Sequence, residues 1–241
     1  MPMSWVDLDV NGETMETYLA RPDGAGPFPA VIVVQEIWGV NSHIQSVTGR
    51  LPAQGYVGIS PALFHREGRH TLTLYEEMDA SFANLGRLTD VNILADLRAV
   101  IAYLQSLPFV QSDRIGITGF CVGGRISYLA ASNLPEIKAA VDFYGGRSLV
   151  AFGDGKSPVE QTANITAPIL GLFGEDDGNP TPEDVATIEV ELKKHSKEYE
   201  FHSYPGCGHG FHCDERSSYR RESAMDAWGK AIGWFDKYLK A

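Results

Sequence analysis

The run AVIVVQ (Ala30–Gln35) is apolar on both faces, and a strand of that kind is accepted only by a sheet that helices cover on each side. Five further short, mostly apolar runs follow: YVGIS (Tyr56–Ser60), RIGITGF (Arg114–Phe120), AAVDFY (Ala139–Tyr144), PILGLFG (Pro168–Gly174) and YEFHSY (Tyr199–Tyr204). Each is separated from the next by helix-length sequence. This rhythm predicts an α/β fold, a mostly parallel central sheet with crossover helices on both faces. The beginning of the chain reads differently. Trp5–Val10 and Met15–Arg21 alternate apolar and polar residues around Asn11-Gly12, a pair that tolerates positive φ, which predicts an N-terminal antiparallel hairpin at the sheet's edge.

Two helices stand out. One spans about Asp90 to Leu107, with Val91, Leu94, Leu97, Val100, Ile101 and Leu104 on one stripe, Thr89 as a cap and Pro108 as a stop. The other spans about Ser217 to Lys240, with Ala224, Ala227, Trp228, Ala231, Ile232 and Phe235 facing the core. Gly153–Pro168 reads as a long loop with at most one helical turn. With 241 residues and no repeat or linker, one domain over 1–241 is expected.

Composition narrows the partners. A formal charge of −11 repels phosphate backbones and anionic lipid, so neither nucleic acid nor a membrane is an expected partner. No basic leader precedes an apolar run, and no apolar stretch is long enough to span a bilayer, so a cytoplasmic location and a monomer or weak homodimer are expected. Three cysteines cannot all pair within one chain, which leaves at least one thiol free. No dinucleotide or phosphate-binding glycine motif is present; neither cofactor nor metal is expected.

The chemistry gathers at GITGFCVGGRISYLAA (Gly116–Ala131), a strand, a sharp turn and a helix with Cys121 at the turn. Gly119 and Gly123 flank the cysteine where neighbouring backbone leaves no room for a side chain, the G-x-nucleophile-x-G arrangement. A thiol there sits at a helix N-terminus, whose amides favour a thiolate and an oxyanion. Partners follow in the order nucleophile, acid, histidine. Asp176 and Asp177 lie after PILGLFG, and spacing alone does not separate them. His209 lies in PGCGHGFHCDE after YEFHSY, among glycines that let its loop return over the sheet, unlike His202 and His212. The oxyanion donors expected from this layout are the N–H of Val122 and one from the loop Glu36-Ile37-Trp38-Gly39.

These residues resemble the dienelactone hydrolase (carboxymethylenebutenolidase) family, α/β-hydrolases with a cysteine nucleophile. The likeness runs through VIVVQEIWGVN, GFCVGG, AVDFYGG, GLFGEDDGNPTPEDV and YPGCGHGFHCDERSSY. It implies a Cys121–His209–Asp177 triad that hydrolyses a lactone or small carboxylic ester. It also implies that Glu36 helps activate the thiol when substrate binds, and that Ile37 gives the second oxyanion amide. Tyr144 is implied as a pocket residue, with Trp38 and Phe211 expected beside it. Pro61–Ala83 is expected to supply a further wall.

The chain departs from the family at the substrate carboxylate. One arginine of the well-known dienelactone enzymes is replaced here by Cys213, the other by Met78. Arg66, Arg69, Arg87 and Arg216 read as surface charges. A substrate less dependent on a carboxylate, turned over by a lactonase or a broad carboxylesterase or thioesterase, is therefore expected. Three rivals remain. Cys207, His209, His212 and Cys213 could bind zinc, although their spacing matches no standard paired-ligand arrangement. Cys121 could be a redox sensor with Cys207 or Cys213 as resolving thiol. The chain could also be a non-catalytic ligand-binding homologue.

Overall fold

The computed structural model describes residues 1–241. Eight strands, β1 (Met3–Val10), β2 (Glu13–Ala20), β3 (Phe28–Val34), β4 (Val57–Pro61), β5 (Val110–Phe120), β6 (Ile137–Phe143), β7 (Ile169–Gly174) and β8 (Tyr199–Tyr204), form one sheet. Its order is β1-β2-β4-β3-β5-β6-β7-β8. The hairpin β1–β2 is antiparallel and joins β4 antiparallel; every later pair is parallel. The fold is the expected α/β-hydrolase arrangement with its hairpin at the edge.

Six helices cover the sheet: α1 (Ser42–Arg50), α2 (Met78–Leu85), α3 (Asp90–Ser106), α4 (Val122–Asn133), α5 (Pro182–Lys194) and α6 (Arg221–Leu239). Alternate side chains of β3 go to opposite faces, as period-two geometry requires. Ala30, Ile32 and Val34 pack with α3 and α4, whereas Val31 and Val33 pack with α1 and α6. No helix is long and apolar enough to cross a membrane.

Local differences from the sequence reading have physical causes. In α3, Thr89 accepts the Asn92 N–H at 3.2 Å, but Val91 is exposed. Asp96 takes a buried position instead, its charge met by Arg66 at 2.7 Å and His65 at 3.2 Å. Helix α6 starts at Arg221 because the Arg220 N–H is drawn back to the Phe211 carbonyl, 3.0 Å away. Its buried stripe includes Trp234 and Leu239, while Trp228 and Ile232 are half-buried. Strand β5 extends back to Val110 through the polar residues Gln111 to Arg114. The loop 153–168 contains a six-residue 3-10 helix, Val159–Asn164, held to α4 by the Tyr128 and Thr162 hydroxyls at 2.6 Å.

Strand β3 pairs with β4 on one side and β5 on the other, so the chain reverses its direction of sheet building at β3 and β5. Loops leaving the carboxyl ends of two such strands part and open a crevice between them. Glu36–Gly39 leaves β3 there, and Cys121 leaves β5.

Candidate active site

Cys121 occupies the turn between β5 and α4 with φ 59° and ψ −121°. A non-glycine residue in that region carries about 1–3 kcal/mol of strain, which the surroundings must hold. Its N–H donates to the Phe143 carbonyl at 3.0 Å, and its carbonyl accepts the Gly124 N–H at 3.0 Å. The flanking glycines are sterically required: a Cβ on Gly119 would overlap the Gly123 backbone, and one on Gly123 the Val34 carbonyl. The thiol is partly exposed at the mouth of α4, whose first N–H groups have no intrahelical acceptor. Val122 contributes one of these. Ile37, just beyond β3, has a backbone N–H that donates to no carbonyl.

His209 leaves β8 in a loop and returns over the sheet, with its Nδ1 2.9 Å from Asp177 Oδ2. The Asp177 side chain is buried and Oδ1 accepts the Asn179 N–H at 2.8 Å, whereas Asp176 faces solvent. Burial would lower the His209 pKa. The coulombic pull of Cys121 and the Asp177 hydrogen bond outweigh burial and raise it to about 10, so the imidazolium is the favoured form of the ring. The other histidines are elsewhere. His202 pairs with Glu200 at 2.6 Å on β8. His212 is packed among Phe120, Phe143 and Trp228, and burial together with the His43 and Arg50 charges pulls it down to about 3.

Glu36 is fully buried, and neither carboxylate oxygen has a hydrogen-bond partner. Its nearest cation is Arg216, whose Nη1 lies 3.9 Å from Oε1 and whose guanidinium covers the Trp38 ring at 4.7 Å. Gly210 makes this approach feasible, since a Cβ there would strike Arg216. Arg216 is therefore a cavity residue and not a surface charge. Arg66, Arg69 and Arg87 are spent on Asp96, Asp7 and Glu67.

Cys121, His209 and Asp177 open into a cavity of about 320 Å³. Ile37, Trp38 and Val122 line it beside them, and Met78, Phe82 and Leu85 from α2 form an apolar wall. The segment 61–83 thus contributes Met78 and Phe82. Two residues expected on the wall lie behind it. Phe211 is fully buried against Tyr144 and Tyr204, because its loop folds down onto the β8 side of the core. Tyr144, with φ 43°, is also fully buried, its ring 5.2 Å from that of His209. Burial and the nearby Glu36 charge drive its pKa well up, which keeps the hydroxyl neutral.

The histidine–cysteine run diverges. Cys207 Sγ meets Ser223 at 3.2 Å and Cys213 Sγ meets Tyr75 at 3.4 Å, while His209 is held by Asp177. A different trio, Glu36, His43 and Cys213, has potential ligand atoms within 4.8 Å of one another. The Arg216 cation beside Glu36 opposes a metal there, and burial pushes the Cys213 thiol up to about 11. Sequence reasoning overlooked Arg147 and Asn179, which also line the cavity. Their signal was position, in loops leaving the carboxyl ends of β6 and β7.

Sheet order, the sharp strand-to-helix turn and the returning histidine together define an α/β-hydrolase fold with a cysteine at that turn. The model of the "Dienelactone hydrolase family" matches residues 15–239, and the chain belongs to that family. A Synechocystis protein named "Putative carboxymethylenebutenolidase" is 42% identical over 226 residues, covering 92% of each chain. A Bradyrhizobium protein named "Probable 2-oxo-3-(5-oxofuran-2-ylidene)propanoate lactonase" is 37% identical over 232 residues, covering 95% of this chain and 92% of its own. Among solved structures, "Putative Dienelactone Hydrolase" from Klebsiella pneumoniae superposes with a TM-score of 0.87 at 37% identity, covering 99% of this chain and all of its own.

Proposed function

We propose that this hydrolase cleaves a lactone or small carboxylic ester through a thioester on Cys121. The observation that carries the reading is the Asp177–His209 bond at 2.9 Å, beside a cysteine held in a strained turn at a helix N-terminus. The Cys121 thiolate attacks the carbonyl carbon, and the carbonyl π electrons move onto oxygen. The N–H groups of Val122 and Ile37 receive that oxyanion. As the tetrahedral centre collapses, His209 gives its proton to the departing oxygen and the thioester forms. Neutral His209 then takes a proton from water as the water attacks the thioester, and the acid product leaves with thiolate and imidazolium restored. Asp177 holds the imidazole in one orientation throughout.

Glu36 fits a role at the thiol's side of this cycle, since its oxygens have no other partner and Arg216 stands next to them. The relatives named for carboxymethylenebutenolide and furanylidene lactones support an enol lactone, and the apolar wall of Met78, Phe82 and Leu85 supports an uncharged acyl arm as well. Amides are poorer candidates, because expelling an amine depends more heavily on efficient proton delivery. Rapid-quench mass spectrometry with p-nitrophenyl acetate tests the covalent step: the acetyl group belongs on the Cys121 peptide, and an adduct confined to another residue would overturn the mechanism.

A further inference from the structure

Next to the catalytic cavity lies a second one of about 300 Å³, lined by Gly145, Ser148, Leu149, Val150, Pro180 and Ile188 among others. Arg147 and Asn179 line both, so the two spaces meet at this pair. We propose that the second cavity is a leaving-group subsite, and that Arg147 there binds an anionic group on the substrate's alcohol arm. The inference rests on the thioester reading above and names the substrate class it serves.

The backbone of Arg147 is fixed while its side chain is free. It has φ 64°, an unusual conformation for arginine. Its N–H donates to Asn179 Oδ1 at 3.2 Å, and its carbonyl accepts both Arg125 Nε at 3.2 Å and the Val150 N–H at 3.0 Å. Arg125 is itself fully buried and paired with Asp90 at 2.6 Å. A strained conformation held by three hydrogen bonds marks a position whose direction matters. The Arg147 guanidinium has no carboxylate partner in the protein, and the residue is exposed and lines both cavities. The lining carboxylates do not neutralise it: Asp184 caps α5 through the Thr181 N–H at 3.0 Å, and Asp177 holds His209.

Direction assigns the arm. The oxyanion amide of Ile37 lies after β3, on one side of Cys121 after β5; Arg147 and Asn179 follow β6 and β7, on the other. His209 must protonate the leaving oxygen, so the alcohol arm extends on the His209–Asp177 side. Asn179 links that side directly to the subsite, since its N–H is held by Asp177 while its side chain holds Arg147. On a chain with net charge −11, a local cation is needed to favour an anion.

The test compares kcat/KM for phenyl butyrate carrying a para carboxylate on its phenyl ring with that for phenyl butyrate, in wild type, Arg147→Gln, Arg147→Lys and Arg216→Gln. The ratio of charged to neutral ester should fall about tenfold in Arg147→Gln through KM, recover in part in Arg147→Lys, and persist in Arg216→Gln. A ratio unmoved by Arg147→Gln, or one lost in Arg216→Gln instead, overturns the subsite. Calorimetry of 4-hydroxybenzoate against phenol reads the subsite without turnover: binding of the benzoate must weaken in Arg147→Gln, and equal binding by both proteins counts against it. If neither ester shows Cys121-dependent turnover while the benzoate still distinguishes the variants, the thioester reading fails and the anion site stands.

Discussion

Glu36 and Arg216 face one another at 3.9 Å, and both Glu36 oxygens and Arg216 Nη1 are buried without a hydrogen bond. A separation beyond ordinary hydrogen-bond length leaves each group available to a third partner. On the proposed mechanism, a substrate carbonyl oxygen that occupies Arg216 would free Glu36 to interact with the thiol. Glu36→Gln is expected to slow acylation by about 100-fold, within the usual range for a proton-handling group, with deacylation less affected. Pre-steady-state release of p-nitrophenol separates the two steps; equal slowing of both would remove Glu36 from thiol activation.

The raised His209 pKa depends on Cys121. In the wild type the ring should remain protonated through neutral pH and titrate near pH 10. Cys121→Ala removes the neighbouring charge and leaves burial to pull the value down, so the ring should titrate at least a unit lower. Nitrogen-detected NMR of the His209 imidazole checks this. An unchanged midpoint would mean that Asp177 alone sets the protonation state.

Arg125, in the first turn of α4, is fully buried and pairs with Asp90 through two hydrogen bonds of 2.6 and 3.0 Å. Removing one partner of a buried pair strands the other. Arg125→Met should cost about 3–5 kcal/mol, or roughly 10 °C in Tm for a chain this size. It should also loosen residues 147–150, whose carbonyls at Arg147 and Val150 accept from Arg125. Thermal melts and amide exchange of that loop read both effects.

Asp142, inside the sheet on β6, has its pKa raised to about 7 by burial, which the Gly145 N–H opposes only in part. Its folded value lies above the ordinary 3.8, so the neutral form is the one the fold favours. Stability from this group is complete below about pH 4 and is lost as pH rises through 7. Asp142→Asn, which stays neutral, should gain on the wild type between pH 5 and pH 8 by at least about 3 °C in Tm. A constant Tm difference across that range would contradict the assignment.

Much of the fold was legible because both-face apolar runs and helix-length gaps leave few alternatives. YEFHSY and PILGLFG, for example, fall on β8 and β7 with at most one residue of difference. Polar residues hid the beginning of β5, where Gln111 to Arg114 form the strand's more exposed end and have no partner in the β3 or β6 register. The buried Asp96 could not be foreseen from periodicity, since its place in the core depends on Arg66 from thirty residues earlier. Within the site, the glycine-flanked turn, the acid and the histidine are carried by short local motifs. Arg216 was misjudged because its location depends on Gly210 making room above Trp38, a tertiary fact. Phe211 was misplaced for the opposite reason: apolar character beside His209 suits a wall or the core equally, and packing against Tyr144 and Tyr204 decides for the core.

The central claim is that Cys121 is the nucleophile. The most direct measurement is multiple-turnover hydrolysis of p-nitrophenyl acetate, with a small enol lactone beside it, by the wild type and by Cys121→Ala. Multiple turnover excludes surface groups that react once with an activated ester. Wild-type turnover that falls by two or more orders of magnitude in the alanine variant is the predicted result. Equal rates in the two proteins would contradict it.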